Sequence, residues 1–519
     1  MNALLVYPPC PETFWSFRHS LPFARLKAAS PPLGLLTVAA MLPAAWAKKV
    51  VDMNVGPLDD QDLLWADLVL VSAMVLQKDA TQEVLERCRR LRRRVVGGGP
   101  LFTRLHQELE GVDHVIAGEA EEVLPRFLAD LEAGRPQPLY QAQGYPDLGL
   151  TPIPSWELID LSNYRTLLVQ FSRGCPFDCD FCDVVALFGR RPRFKAPGQV
   201  LAELERLYQL GWRGTVMMVD DNFIGQRARA RELLGLMAGW QQQRRRPFNF
   251  LTQASVNLAD DPQMLALMAQ ANFTAVFLGL ETPSASSLQE CHKHQNQGRD
   301  LLADVRTIQG YGLEVMGGFI VGFDADPPSI FKDQVRFIKE AAIPTAMVGL
   351  LSLAPGTRLW ERMRNQDRLL GLTSGNNAMD EGALNFVPKM GAAKLLEGYR
   401  YVLDRLYEPR AYYRRVLKFL RRQGTALGRR QRPRPALHLE ELAAAARILW
   451  RLGFRERGRL SFWALLARAS LSGPARLAQA MGLAATGYHL CMVTKSFLEG
   501  GPPSLAPRGR RPALKAQGR

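Results

Sequence analysis

No segment of this 519-residue chain reaches the about 18 uninterrupted apolar residues that a spanning helix needs. The nearest, from Leu477 to Val493, is broken by Gln479 and His489. The opening residues lack a basic stretch followed by a long apolar one, so no signal peptide is expected and the chain reads as cytoplasmic. Cysteine is scarce as well. Of seven cysteines, three crowd into residues 175–182, while Cys10, Cys88, Cys291 and Cys491 are scattered. That distribution excludes a disulfide framework and fits a reducing compartment. Acidic residues are scarce only at one end: residues 411–519 hold 22 Lys/Arg against 4 Asp/Glu, whereas residues 1–410 hold 44 against 46. The net charge of +16 therefore belongs to the tail. No nucleic-acid-binding motif accompanies it, so no nucleic-acid partner is expected.

What is present is an alternation of strand and helix patterns, run twice. In residues 1–135 strands are predicted at Ala3–Tyr7, Lys49–Asp52, Leu68–Ser72, Arg94–Val96 and His114–Ile116. Helical periodicity between them implies a parallel sheet covered on both faces, a Rossmann-like domain. Pro136, Pro138, Pro146, Pro152 and Pro154 mark residues 136–160 as a linker. Residues 161–390 supply a second series, with strands at Leu167–Phe171, Thr215–Val219, Phe248–Thr252, Ala275–Leu280, Leu313–Val321 and Ala346–Leu351. Six such units predict a partial (β/α)6 barrel with its active site at the C-terminal strand ends. Residues 391–519 read as a helical, basic extension, with a Gly/Arg/Pro-rich linker at 424–435 and a Pro/Gly/Arg tail from about 500.

The chemistry is concentrated after the first barrel strand, in Ser172-Arg173-Gly174-Cys175-Pro176-Phe177-Asp178-Cys179-Asp180-Phe181-Cys182. Thiolates are the usual ligands of iron–sulfur clusters, and most clusters take four. Three on one short loop leave one iron open to a small ligand. A zinc site would want a fourth Cys or His nearby, and the first histidine after the loop is His292. Spacing, barrel position and the missing fourth ligand agree, and the loop resembles the signature of the radical S-adenosylmethionine (SAM) superfamily.

That resemblance implies a [4Fe–4S] cluster on Cys175, Cys179 and Cys182 with SAM on the open iron. It places Phe181, Asp220, Asp221, Glu281 and Gly318 around SAM. The ordinary alternatives are helix caps for the two aspartates, an ion pair for Glu281 and packing relief for the glycine. A sheet domain directly before such a barrel resembles the cobalamin-binding arrangement. Asn54, Ser72, Gln77, Gly98 and Gly99, at the ends of its strands, are then the candidate cobalamin contacts, with turn chemistry as their alternative. The Asp-x-His-x-x-Gly motif that carries a lower cobalt ligand is missing after the first strand, where Pro8-Pro9-Cys10-Pro11 stands instead. Cobalamin is therefore expected to bind without a histidine.

From residue 1 to about 420 the chain resembles the hopanoid 2-methylase group of cobalamin-dependent radical SAM methyltransferases. The stretches Val51-Asp52-Met53-Asn54, Asp220-Asp221-Asn222-Phe223-Ile224-Gly225 and Gly318-Phe319-Ile320-Val321-Gly322-Phe323-Asp324 carry the likeness. It implies methylation of an unactivated carbon of a hydrophobic small molecule or lipid, most simply a hopanoid-type polycyclic lipid. A tetrapyrrole methylase or cyclase fits the same motifs, and a non-catalytic cobalamin or lipid sensor is the alternative outside enzymes. Flavodoxin or ferredoxin is the expected electron donor. No catalytic side chain is singled out; Cys291 is read as an ordinary loop thiol. The basic tail, with Tyr412, Tyr413 and Phe419 among its arginines, is expected to give peripheral contact at the inner membrane surface.

Overall fold

Two uninterrupted apolar runs, Ala3-Leu4-Leu5-Val6 and Leu68-Val69-Leu70-Val71, become neighbouring strands of a six-stranded parallel sheet. The computed structural model describes residues 1–371, 384–423 and 439–500. Its N-terminal sheet comprises β1 (Asn2–Tyr7), β2 (Ala47–Asp52), β3 (Leu68–Ser72), β4 (Arg94–Gly98), β5 (His114–Ala117) and β6 (Leu139–Gln141), in the order 2-1-3-4-5-6. That is a doubly wound order, whose ligands lie outside the carboxyl ends of the strands. β6 lies inside the segment read as a linker. It pairs Val115 with Leu139 and buries Tyr140, so the first domain runs past residue 135. Three residues flanked by prolines are too few to carry a strand pattern, and only the β5 edge makes them one.

The second series folds as expected. β7 (Thr166–Val169) is followed by a small antiparallel pair, β8 (Ser172–Arg173) and β9 (Arg193–Phe194). Then come β10 (Thr215–Met218), β11 (Asn249–Ala254), β12 (Phe273–Glu281), β13 (Glu314–Val321) and β14 (Ala346–Leu350). The parallel order 14-13-12-11-10-7 leaves the barrel open between β7 and β14. Both edges are covered. Arg165 and Thr166 donate their backbone N–H groups to the carbonyls of Ala28 and Ala29, from the β1–β2 connection. On the β14 side, Tyr399 and Tyr407 of the Ala392–Tyr407 helix donate their hydroxyls to the carbonyls of Val348 and Ala346. The Pro474–Glu499 helix closes the flank, with His489 Nε2 3.1 Å from Thr13 O and Thr486 Oγ1 3.4 Å from Arg165. Among the described residues no helix is long and apolar enough to cross a membrane.

The Pro409–Arg422 helix corrects one expectation. Its Tyr412, Tyr413 and Phe419 are buried, and Arg415 is buried with them, donating to Leu406 O at 2.9 Å. These aromatics belong to the core, not to an interfacial segment. With Val416 and Leu420 they fall at helical spacing on one packed face. Arg429, Arg430, Arg432 and Arg434, and the tail beyond residue 500, lie outside the described residues.

Candidate functional site

The cysteine loop leaves β8 and is anchored along its length. Gly174, at φ +94°, turns the chain outward, and a Cβ there would stand 3.1 Å from the carbonyls of Phe188 and Gly189. Its N–H donates to Asp221 Oδ2 at 2.8 Å. The Asp180 N–H donates to Cys291 O at 3.1 Å, and the Asp180 carboxylate takes Arg358 at 2.7 Å and His292 at 3.0 Å. Cys179 is buried, and Cys175 and Cys182 are half-buried. Burial pushes the Cys175 and Cys182 thiols up, while N–H groups of Phe177 and Val184 aimed at them act the other way. Deprotonated sulfur here calls for a compensating cation. Lys293 stands nearby, its Nζ 2.7 Å from Glu281 Oε1 and 5.7 Å from the centre of the Phe181 ring. Burial works against its charge, but Glu281 and the Cys179 and Cys182 sulfurs outweigh burial and hold the ammonium above its ordinary value. Three thiols on one loop, with amides and a fixed ammonium around them, suit a cluster of several irons.

The residues proposed for SAM divide into two groups. Asp220 is fully buried and accepts both the N–H and the hydroxyl of Ser172, so it ties β10 to β8 rather than facing open space. Burial raises its carboxyl to about 7. Asp221 holds Gly174 as described, and burial raises it to about 6. Neither caps the following helix, whose N-cap is Gln226. Phe181 adjoins Cys182 in the loop, Glu281 holds Lys293, and Gly318 lies on the inner side of β13. Phe181 packs on Phe323 with ring centres 6.0 Å apart. Glu281 follows a bulge after Gly279 and takes φ +61°, a strained value for a carboxylate side chain. Gly318 stands beside Gly279, and a Cβ on it would strike Phe277 at 2.7 Å. Cys291, near the same loop, is fully buried and burial raises its thiol to about 12, which fits an inert packing thiol.

Between sheet and barrel lies a cavity of about 250 Å³. Ser72 and Gly99 line it, together with Gly34 and Thr37 from the helix after β1 and Gln170 and Arg173 from the barrel. Gly99 has φ +83°, and a Cβ there would stand 2.8 Å from Ser72 Oγ. Gly98 is half-exposed beside it, with only the Ile116 carbonyl near a would-be Cβ, at 3.9 Å. Asn54 and Gln77 are elsewhere. Asn54 Oδ1 accepts the Cys10 N–H at 2.8 Å, and Gln77 Nε2 donates to Pro8 O at 2.5 Å. Both fasten the loop after β1. The glycines at the end of β4, with Ser72 at the end of β3, suit the close approach of part of a large planar ligand set across the strand ends.

The cavity wall holds charges that the sequence reading missed. Arg173 pairs with Glu119 at 2.6 Å and with Glu121 at 2.7 Å, and Arg193 pairs with Glu119 at 2.6 Å. Both glutamates are buried, and Thr151 donates to Glu121 at 2.9 Å. Glu119 and Glu121 follow β5, whereas Arg173 directly precedes Gly174 and Cys175, so the network joins the two domains at the cysteine loop. Paired carboxylates at a strand end were the available signal; their partners, more than fifty residues away, were not. Lys293 was hidden similarly, between the more conspicuous His292 and His294.

The barrel interior is not filled. Along β7, β10 and β11, Leu168, Gln170, Met217, Leu251 and Gln253 are half-exposed, while their neighbours Leu167, Val169, Val216, Met218, Phe250 and Thr252 are buried. The register sets Leu168 beside Met217 and Met217 beside Leu251. Outer faces are packed under helices, and inner faces border free space. Phe277, Ile320 and Gly349 continue this inner face, and a Cβ on Gly349 would meet nothing within 4 Å. Trp15, from the loop after β1, packs on Phe277 with ring centres 5.1 Å apart.

Comparison with known proteins agrees with this anatomy. Three family models match: B12 binding domain over residues 21–128, Radical SAM superfamily over 169–338 and a domain of unknown function (DUF4070) over 357–500. The third carries the likeness past residue 420, where the sequence resemblance stops. The chain is 40% identical to an uncharacterized methyltransferase of Synechocystis sp., over 89% of this chain and 86% of that one. It is 33% identical to the hopanoid C-2 methylase of Rhodopseudomonas palustris, over 91% and 90% respectively. A solved cobalamin-dependent SAM radical enzyme, OxsB, shares the fold at a TM-score of 0.60 and 15% identity, covering 96% of this chain and 80% of its own. A B12-binding sheet set before a radical SAM barrel defines the class: a radical enzyme that uses both SAM and cobalamin. Within it, the chain belongs to the cobalamin-dependent radical SAM methyltransferases, which methylate carbon, and its cofactors are a [4Fe–4S] cluster, SAM and cobalamin.

Proposed function

We propose that this enzyme methylates an unactivated carbon of a hydrophobic polycyclic lipid of the hopanoid type. The carrying observation is the largely apolar inner face of the barrel, where Leu168, Met217, Leu251, Phe277 and Ile320 are half-exposed beside Gln170 and Gln253. Among the described residues, none of the inner strand positions from Leu168 to Gly349 carries a basic side chain. A tetrapyrrole's carboxylates would find no partner on those strands, and the cations nearby, Arg173 and Lys293, are already paired with Glu119, Glu121 and Glu281. The hopanoid C-2 methylase among the relatives supports the same choice.

When bound, the cluster and SAM supply a hydrogen-abstracting radical, and cobalamin supplies the methyl group. Cys175, Cys179 and Cys182 are the cluster ligands in this reading, and Asp221 and Asp220 hold their loop through Gly174 and Ser172. Lys293, fixed by Glu281, offsets the negative charge of the sulfurs. Phe181 and Phe323 screen the site from water, and Gly318 leaves room for the Phe277 ring on the wall beside it. Ser72, Gly98 and Gly99 receive cobalamin, while the Arg173–Glu119–Glu121 network keeps its domain in register with the loop. Flavodoxin or ferredoxin brings electrons, and the enzyme meets its substrate by peripheral contact with the inner membrane surface.

The test is product analysis with reconstituted enzyme, SAM and a reductant, offering a hopanoid and a chlorophyllide in parallel. The hopanoid should gain one methyl group and the chlorophyllide none. Methylation of the chlorophyllide alone overturns the substrate, and 5′-deoxyadenosine without any methylated product overturns the assignment of the inner face as the substrate chamber.

A further inference from the structure

Of nineteen large hydrophobic side chains exposed among the described residues, seven fall between residues 439 and 471. They follow helical spacing. The Leu439–Trp450 helix shows Leu439, Leu442 and Trp450 to solvent, and the Arg459–Ser470 helix shows Leu460 and Trp463, with Leu471 just beyond its end. Leu439, Leu460 and Leu471 are 84%, 76% and 89% exposed. Phe454 joins the two stripes, its ring centre 5.7 Å from Trp450 and 5.9 Å from Trp463. The opposite faces are also apolar, since Ile448, Leu452, Phe462, Leu465 and Leu466 are buried. A helix apolar all round is normally covered on all sides. A continuous exposed patch of this kind marks a docking surface.

The charge around the patch selects what covers it. Arg455, Arg457, Arg459 and Arg468 are exposed beside it, against Glu440 and Glu441 in the first turn of the Leu439–Trp450 helix, so the balance is positive; Arg455 stacks 5.6 Å from the Trp450 ring centre. Residues 424–438, directly before Leu439, contain four arginines and no acidic residue. A second copy would bring this cationic rim against its own image, which like-charge repulsion opposes. An anionic lipid surface complements it, and exposed tryptophan, leucine and arginine together suit the headgroup boundary. We propose that the outer face of the 439–471 helices lies on the surface of an anionic bilayer, with Trp450, Phe454, Leu460, Trp463 and Leu471 seated in it. The inference rests on the lipid-substrate reading, and it replaces the buried Pro409–Arg422 segment as the contact. Placement favours it as well. These helices pack on Leu21–Ala24 and on the Pro474–Glu499 helix, and the latter closes the open flank of the barrel.

The experiment is co-sedimentation of the full-length, cofactor-loaded protein with vesicles of phosphatidylglycerol and phosphatidylcholine, against phosphatidylcholine alone. Two variants accompany it: Leu460→Ser/Leu471→Ser, at positions too exposed to affect folding, and Arg457→Glu/Arg459→Glu. The native protein should pellet with anionic vesicles and lose that binding as salt rises. Each variant should partition about tenfold less, from lost apolar area or lost charge. Both should methylate detergent-dispersed lipid as the native protein does. Equal pelleting of native protein and variants overturns the proposal. So does a native dimer that the leucine variant turns into a monomer, which would show a second copy on this face. Vesicle binding without methylation of any lipid would instead count against the substrate reading and leave this surface standing.

Discussion

In the N-terminal sheet, β1 is buried without interruption from Ala3 to Val6 and β3 from Leu68 to Val71. In the barrel, β7 and β10 alternate half-exposed and buried residues. Both sheets are parallel and covered by helices, and parallel strands ordinarily read as continuous apolar runs. The first sheet obeys that rule because each face meets a packed layer. The second departs from it because one face meets open space. One sheet is a platform whose ligand lies across its strand ends; the other is a wall around a chamber.

The most severe test of that contrast separates the chemistry of the two halves. Cys179→Ala should abolish cluster iron and reductive SAM cleavage while cobalamin uptake, read by absorbance, persists. Gly99→Leu, at a left-handed position with Ser72 Oγ in the way, should do the reverse. If either substitution removes both activities, the halves are not independent platforms.

Next in size is the joint between them. Arg173→Met leaves Glu121 buried without its main partner and should cost about 3–5 kcal/mol in denaturant unfolding. The same variant should raise the yield of 5′-deoxyadenosine per methylated product. An unchanged ratio would reduce the network to a purely structural role.

The contrast in packing is then measured directly. Leu70→Ala, in the platform, should cost about 2–5 kcal/mol. Leu251→Ala, on the chamber wall, should cost less than about 1 kcal/mol but raise KM for the lipid. Equal costs would mean that the chamber is as tightly packed as the platform. A last expected effect is a pH slope from Asp220. Its carboxyl is raised by burial to about 7, so the folded state holds its proton more tightly than the unfolded chain does. That contribution is complete below about pH 4 and is lost as the pH climbs through about 7. Asp220→Asn should therefore flatten the fall in stability over that window, followed by thermal unfolding.

Legibility followed the distance over which each feature is encoded. Strands such as Leu68–Ser72 were read to the residue because their apolar runs are local. The cysteine loop was read from three residues and their spacing. By contrast, the sequence places Asp220 and Asp221 at a strand end, but their partners Ser172 and Gly174, about 48 positions earlier, are set by tertiary packing. Asn54 and Gln77 were likewise drawn to Pro8 and Cys10, a segment whose position no local pattern gives. The aromatics of Pro409–Arg422 have helical spacing in either environment. Only tertiary packing decides that Tyr412 is inside and Trp450 outside.

The cover over the barrel's open flank sets an order of events for the growing chain. The wall beside β7 comes from residues 27–29, made long before the strand it protects. The piece that meets Thr13 is His489, 476 residues later. Contacts of such separation form late. The flank of the chamber therefore cannot close until almost the entire polypeptide has been synthesised. Closure of that flank depends on a contact between two segments far apart in sequence, the loop after β1 and the Pro474–Glu499 helix.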